Sequence, residues 1–92
     1  MGRYFAGIDI GTYSSRGMLL SEDFQVAADA STPHSMDNPK PGWFEHDAER
    51  VWWRDLCVLS HALLEKSGVD PAEIACVGVS ALGTDCLPVD AD

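Results

Sequence analysis

The sequence predicts an α/β domain in which a small mixed sheet packs against one helix. Extended, mostly apolar segments lie at residues 4–10, 16–21 and 24–30, separated by short polar turns. An amphipathic stretch at 48–67 has the spacing of a helix, and a further apolar strand follows at 74–80. The chain has 92 residues, which allows at most one small domain. The predicted element order is therefore βββαβ.

The first strand ends in a turn with unusual chemistry. Residues 5–10, FAGIDI, read as mostly buried, and Asp9 interrupts them. An ionised carboxylate in a dry strand is costly unless a cation, a donor network or a ligand compensates it. The next residues, GTYSS, include Gly11, Thr12 and Ser14, which supply close backbone approach and hydroxyl donors. Two interpretations stay open here: Asp9 caps the turn by accepting from its amides, or the turn binds an anionic ligand.

The helix has clear signals at both ends. Asp47 is a good N-cap for a helix over 48–67, and Gly68 predicts its end. Asp70 and Pro71 then predict one short helical turn. The apolar residues of the helix, both tryptophans included, are predicted to lie in the core rather than to stack on a ligand: Trp52, Trp53, Leu56, Cys57, Leu59, Leu63 and Leu64.

The segment between the third strand and the helix is predicted to be irregular. Residues 31–42 are rich in Pro, Ser and Asn, which indicates a long loop ending at the apolar Trp43. Three histidines, His34, His46 and His61, have no common metal-ligand spacing. Each is predicted to be a surface or packing residue, with His46 at the start of the helix.

Composition excludes several classes of function. The formal net charge is -9 with only six Lys and Arg, so a nucleic-acid partner is not expected. The sequence shows neither a targeting segment nor an apolar run long enough for a bilayer, so we expect no membrane partner and a cytoplasmic protein. Cys57, Cys76 and Cys86 form no CxxC pair and are expected to be buried free thiols in a reducing compartment.

Three blocks, in order, resemble the amino-terminal part of an FGGY-type carbohydrate kinase. They are residues 7–20, GIDIGTYSSRGMLL; 39–53, PKPGWFEHDAERVWW; and 74–90, IACVGVSALGTDCLPVD. The first block resembles the nucleotide-binding hairpin of the sugar kinase, Hsp70 and actin superfamily. It has neither the P-loop spacing nor GxGxxG. The resemblance implies a ribonuclease-H-like half-domain, which also has the βββαβ order.

The resemblance implies transfer of the γ-phosphoryl group of ATP to a sugar or polyol hydroxyl, with Mg²⁺. Asp9 would help to position Mg²⁺, while Gly11, Thr12 and Ser14 would face the phosphates. Arg16 would pair with phosphate oxygens; the alternative is a solvated arginine on an edge strand. The catalytic base of the family is an aspartate much further along its chains, and no residue here matches it. The resemblance also allows a homodimer of the full-length enzyme.

Substrate contacts are implied at two places. Trp43 lies where the family places its sugar site, and Thr84 and Asp85 follow the last predicted strand. In the segment after this strand, glycerol kinases carry a sequence similar to NQRET and xylulose kinases one similar to QMHG. This chain reads ALGTD there. That turn could bond sugar hydroxyls or be an ordinary turn. We expect a ketopentose such as xylulose, or an unassigned pentose or polyol, rather than glycerol.

Two other classes of function compete with the kinase. One is a non-catalytic nucleotide-binding or interaction module of the actin and Hsp70 superfamily, and the other is an α/β scaffold without a ligand. The PGWFEHD block favours the kinase. We expect residues 1–92 to be the amino-terminal portion of the first domain of a two-domain enzyme, inactive alone and marginally stable.

Overall fold

The computed structural model describes residues 2–83 and 85–92. In chain order its strands and helices are β1 (Tyr4–Ile10), β2 (Ser14–Ser21), β3 (Val26–Pro33), β4 (Asp37–Lys40), β5 (Trp43–Glu45), a π-helical turn (Ala48–Trp53), α1 (Arg54–Ser67), a 3₁₀ turn (Pro71–Glu73) and β6 (Ile74–Ala81). The main sheet has the order β3-β2-β1-β6, in which only the β1 and β6 pair is parallel. The predicted mixed sheet is confirmed.

The boundaries of the second and third strands differ from the prediction. β2 begins at Ser14 rather than at residue 16, because Ser15 pairs with Ile10 across the hairpin. β3 begins at Val26, since Phe24 has a φ of 63° and belongs to the preceding turn. β3 then continues to Pro33, because the ladder with β2 extends to its first residue.

The prediction of an irregular loop over 31–42 is wrong. Its first residues complete β3, and β4 and β5 form a separate two-stranded hairpin in which Lys40 pairs with Trp43. Gly42 has a φ of 81°, which a turn of this kind requires and which glycine adopts without strain. The hairpin adds two strands to the βββαβ order and places Trp43 on a strand.

Local signals set the limits of the helix as predicted. The Asp47 carboxylate accepts from the backbone N–H groups of Glu49, at 3.0 Å, and Arg50, at 2.9 Å. The first turn is π-helical and α1 continues from it, ending at Gly68 with a φ of 69°. The Asp70 carboxylate accepts from the Ala72 amide at 2.9 Å and starts the predicted short turn.

The core lies between α1 and one face of the sheet, which α1 covers at β2 and β3. Gly17 brings sheet and helix close together, because a Cβ there would lie 3.0 Å from Ile8 Cδ1 and 3.1 Å from Leu63 Cδ1. Trp52 and Leu56 pack against this core from its edge. Its buried apolar residues are Ile8, Ile10, Leu19, Ala28, Leu59 and Leu63.

Two predictions of burial are wrong. Trp53 is 62% exposed, because adjacent residues of a helix point in different directions and Trp52 occupies the position that packs against the core. Cys76 and Cys86 are exposed free thiols, and Cys57 is half-buried. Within the part of the chain that the structure describes, none of the helices has the length and apolar character that crossing a bilayer requires.

Candidate functional site

Asp9 lies on the face of the sheet opposite the core. Its neighbours Ile8 and Ile10 are buried, whereas Asp9 is exposed, so the expectation of a dry environment for this carboxylate is wrong. β1 alternates between two faces, and only one of them is covered. The strand register pairs Asp9 with Arg16 on one side and with Ser80 on the other. All three line an open cleft of about 890 Å³.

The turn after β1 is closed by its own backbone. The Gly11 N–H donates to the Ser14 carbonyl at 2.9 Å. A Cβ at Gly11 would lie 2.7 Å from that carbonyl oxygen, so a larger residue would force the turn open. Among the described residues, the Asp9 carboxylate accepts no hydrogen bond, and the amides of Thr12 and Tyr13 donate none. The turn therefore presents two unused donors, and the strand that leads into it presents an unused carboxylate.

The carbonyl groups of the same turn are all engaged by protein donors. His34 Nε2 lies 2.9 Å from the Gly11 oxygen and 3.0 Å from the Thr12 oxygen. His46 Nε2 reaches the Thr12 oxygen at 2.9 Å. The backbone N–H of His34 donates to the Tyr13 carbonyl at 2.9 Å. With acceptors satisfied and amides open, the turn has the polarity of an anion-binding loop.

A buried polar cluster stands behind this turn. The Asp55 side chain is fully buried and accepts from Ser15 Oγ at 2.7 Å and from Arg54 Nη1 at 2.9 Å. His34 Nδ1 lies 2.7 Å from Asp55 Oδ2, and the His34 side chain is 3% exposed. Sequence reasoning missed both His34 and Asp55. One feature of the sequence could have identified this cluster: Asp55 is a carboxylate on the same face of the helix as the apolar Leu59 and Leu63.

A second cleft includes a residue of the turn in its wall and has a volume of about 670 Å³. Thr12 lies in its wall together with Asp85, two residues that the sequence assigned to different ligands. Phe44 also contributes to this wall, whereas Trp43 is not among the lining residues. The Trp43 ring is exposed instead, with Lys40 Nζ 4.6 Å from its centroid. Thr84 lies outside the described residues.

The chain matches the sequence model of the FGGY family of carbohydrate kinases, N-terminal domain, over residues 4–92. The chain belongs to this family. The predicted family is thereby confirmed, and the FGGY match does not favour the alternative of a non-catalytic module from the actin or Hsp70 branches.

Relatives of named function agree with the family. A glycerol kinase of Afipia carboxidovorans is 46% identical over 77 residues, which cover 84% of this chain and 15% of the relative. The crystal structure of a xylulose kinase from Rhodospirillum rubrum superimposes with a TM-score of 0.73 at 28% identity, covering 87% of this chain and 16% of that one.

The fold of this FGGY chain is that of the sugar kinases. A gluconate kinase from Lactobacillus acidophilus has a TM-score of 0.76 at 23% identity, covering 88% of this chain and 16% of the other, and this likeness concerns the fold alone. The predicted ribonuclease-H-like half-domain is confirmed. The chain spans about one sixth of the length of the relatives that it matches, between 15% and 17%.

Proposed function

We propose that the protein containing this chain transfers the γ-phosphoryl group of ATP to a hydroxyl of a small sugar or polyol. Membership of the FGGY family supports this reaction class. The observation that carries the proposal is the polarity of the turn, whose Thr12 and Tyr13 amides have no partner among the described residues while its carbonyls are bound. Phosphoryl transfer depends mainly on positioning and electrostatic stabilisation, which open amides supply.

The phosphates of ATP would lie against the turn. Gly11 allows the close approach. The N–H groups of Thr12 and Tyr13, the hydroxyl of Thr12 and the exposed hydroxyl of Ser14 would donate to phosphate oxygens. Arg16 stands beside Asp9 on the exposed face of the sheet and would pair with a phosphate. It lies on an inner strand rather than on an edge strand, and its side chain is exposed.

The residues present also fit a magnesium ion. Mg²⁺ in phosphoryl-transfer sites is held by one or two carboxylates together with substrate phosphates and waters. Asp9 offers an exposed carboxylate without a hydrogen-bond partner among the described residues, on the strand that leads into the turn. Bound there, Mg²⁺ would neutralise charge on the phosphates.

The acceptor would enter the cleft shared by Thr12 and Asp85, so that its hydroxyl lies near the turn. Asp85 and Thr84 would bond sugar hydroxyls, and Trp43 would offer an aromatic face at the margin. We propose that the catalytic base lies in a further part of the protein, with this chain as the amino-terminal portion of the first of two domains. Residues 1–92 alone would then lack kinase activity.

We propose a ketopentose such as xylulose as the acceptor, because the segment after β6 reads ALGTD rather than NQRET. The 28% identity to the xylulose kinase of Rhodospirillum rubrum agrees with this choice. Glycerol is the second candidate, favoured by 46% identity to the Afipia carboxidovorans glycerol kinase.

The free thiols of Cys57, Cys76 and Cys86 support a reducing, cytoplasmic location.

The test compares Asp9→Asn with Asp29→Asn in the product of the entire open reading frame. Asp29 is an exposed carboxylate that lines the same cleft as Asp9, on β3. We expect Asp9→Asn to lower kcat/KM by about 10²- to 10³-fold, because a positioned charge at the transferring phosphates is lost. Asp29→Asn should stay within about twofold, since surface charges contribute little.

The assay uses ATP with xylulose, ribulose and glycerol offered separately and in competition. A wild-type protein that phosphorylates none of these and binds no ATP contradicts the proposal. Preference for glycerol in the competition would replace the ketopentose by the second candidate.

A further inference from the structure

The buried polar cluster behind the turn contacts the carbonyl oxygens of the turn through His34. We propose that His34, held as an imidazolium cation by Asp55, is a positioning residue that keeps the amides of Thr12 and Tyr13 directed at the phosphates of ATP. This inference rests on the proposed function, because it assigns a role within the same nucleotide site.

The protonation of His34 follows from its partners. One ring nitrogen contacts the Asp55 carboxylate, and the other contacts the carbonyl oxygens of Gly11 and Thr12. Carbonyl oxygens only accept hydrogen bonds, and so does an ionised carboxylate. Ser15 Oγ and Arg54 Nη1 both donate to Asp55, so the oxygens of this carboxylate act as acceptors within the cluster. Both ring nitrogens therefore carry a proton, which is the cationic form of histidine.

The geometry of the peptide bond converts these contacts into control of the amides. The described chain has no cis peptide bond, and in a trans peptide the C=O and the following N–H point in opposite directions. A donor that holds the Gly11 oxygen inward therefore turns the Thr12 N–H outward. In the same way, holding the Thr12 oxygen inward turns the Tyr13 N–H outward. One ring nitrogen thus sets the direction of both open amides.

Burial makes this control rigid. His34 follows β3 and Asp55 belongs to α1, so the cluster connects the turn to the helix and to the sheet. Charge-assisted hydrogen bonds are shorter and stronger than neutral ones, and a low-dielectric surrounding strengthens them further. The charged or titratable groups facing His34 are Asp55 and, beyond it, Arg54 from α1, and His46 from the segment before the helix, with ring centroids 5.1 Å apart.

The main experiment compares His34→Gln with two controls in the product of the entire open reading frame. Glutamine can donate to a carbonyl but carries no charge and cannot bridge to Asp55. His61→Gln makes the same chemical change on the exposed part of α1. Leu63→Val lowers stability through the core without touching the cluster. Thermal denaturation of all variants shows how much stability each has lost.

We expect His34→Gln to raise the Kd of a non-hydrolysable ATP analogue, and the KM for ATP, by about tenfold, the equivalent of one charge-assisted hydrogen bond. The KM for the acceptor should stay unchanged, because the cluster faces the turn. Leu63→Val should leave both constants unchanged even at an equal loss of stability. Unchanged nucleotide binding in folded His34→Gln would overturn the inference.

The second measurement needs no variant. Spectra of ¹⁵N-histidine-labelled wild-type protein should show both His34 ring nitrogens protonated at neutral pH, and a neutral ring would overturn the inference. Should His34→Gln fail to fold, His46→Gln takes its place, because it removes one of the two donors to the Thr12 oxygen. A smaller rise in the nucleotide Kd, about threefold, is then expected, and no rise counts against the role.

The two proposals fail in different ways. If the wild type binds no ATP analogue and phosphorylates no acceptor, the proposed function is wrong, and a doubly protonated His34 would then be a purely structural cation. If the wild type binds ATP and His34→Gln binds it equally well, the proposed function stands and the positioning role is wrong.

Discussion

The two halves of the main sheet have similar sequences and very different surroundings. At β2, Leu19 is fully buried beneath Leu59 of α1. At β6, Val77 and Val79 point to the same side of the sheet as Leu19 and are 57% and 61% exposed, since α1 packs mainly against β2 and β3. Both halves of the sheet therefore carry apolar side chains on this face, but α1 covers them in one half only. The free energy of folding of this chain comes mainly from the covered half.

The largest expected effect is in the covered half. Leu59→Ala removes a fully buried side chain at the centre of the core, and we expect a loss of about 2–5 kcal/mol in the free energy of unfolding. Such a loss is comparable to the whole stability of a small domain. Far-ultraviolet circular dichroism with urea titration measures it. A loss below about 1 kcal/mol would show that α1 does not hold this half together.

A smaller effect is expected where helix and sheet touch most closely. Gly17→Ala places a methyl group 3.0 Å from Ile8 Cδ1 and 3.1 Å from Leu63 Cδ1, and overpacking of this kind costs about 1–3 kcal/mol. Gly7→Ala is the matched control, because its Cβ would meet no atom within 4 Å on the uncovered face. Equal urea midpoints for the two variants would contradict the close packing at Gly17.

The smallest effect is expected on β6. In the 92-residue chain, Val79→Thr exchanges one exposed side chain for another of the same shape, so the free energy of unfolding should change by less than about 0.5 kcal/mol. If a further part of the full-length protein covers β6, the same variant buries a hydroxyl there and costs about 1–3 kcal/mol. Chemical denaturation of both forms makes the comparison. Equally small losses in the free energy of unfolding would show that β6 stays exposed to solvent in the full-length protein.

Elements with local signals were predictable. The carboxylate of Asp47 and the left-handed conformation of Gly68 act within one helical turn, so the sequence around them predicts the helix from its first residue to its last. The turn at Gly11 was predictable for the same reason. The β4 and β5 hairpin was not, because Pro39 and Pro41 are typical of loops and a short separate hairpin tolerates them.

The site was predictable in part. Asp9 was predicted at the end of the first strand and Gly11 and Thr12 in the turn after it, and the structure has them there. The dry environment assumed for Asp9 depended on both faces of β1 being covered. Ser80 joins Asp9 only through the parallel register of β1 and β6. That register brings together residues far apart in the chain, and no local pattern encodes it.

Local sequence patterns were sufficient for the types of the elements other than β4 and β5, for the limits of the helix and for the turn after β1, because short-range sterics and capping control them. The partners of His34 came from folding alone. His34 and Asp55 are separated by the β4 and β5 hairpin and by the first helical turn, and they meet at 2.7 Å only when α1 packs on the sheet. Long-range packing therefore decided which histidine is buried, what it bonds, and in which direction the amides of the turn point.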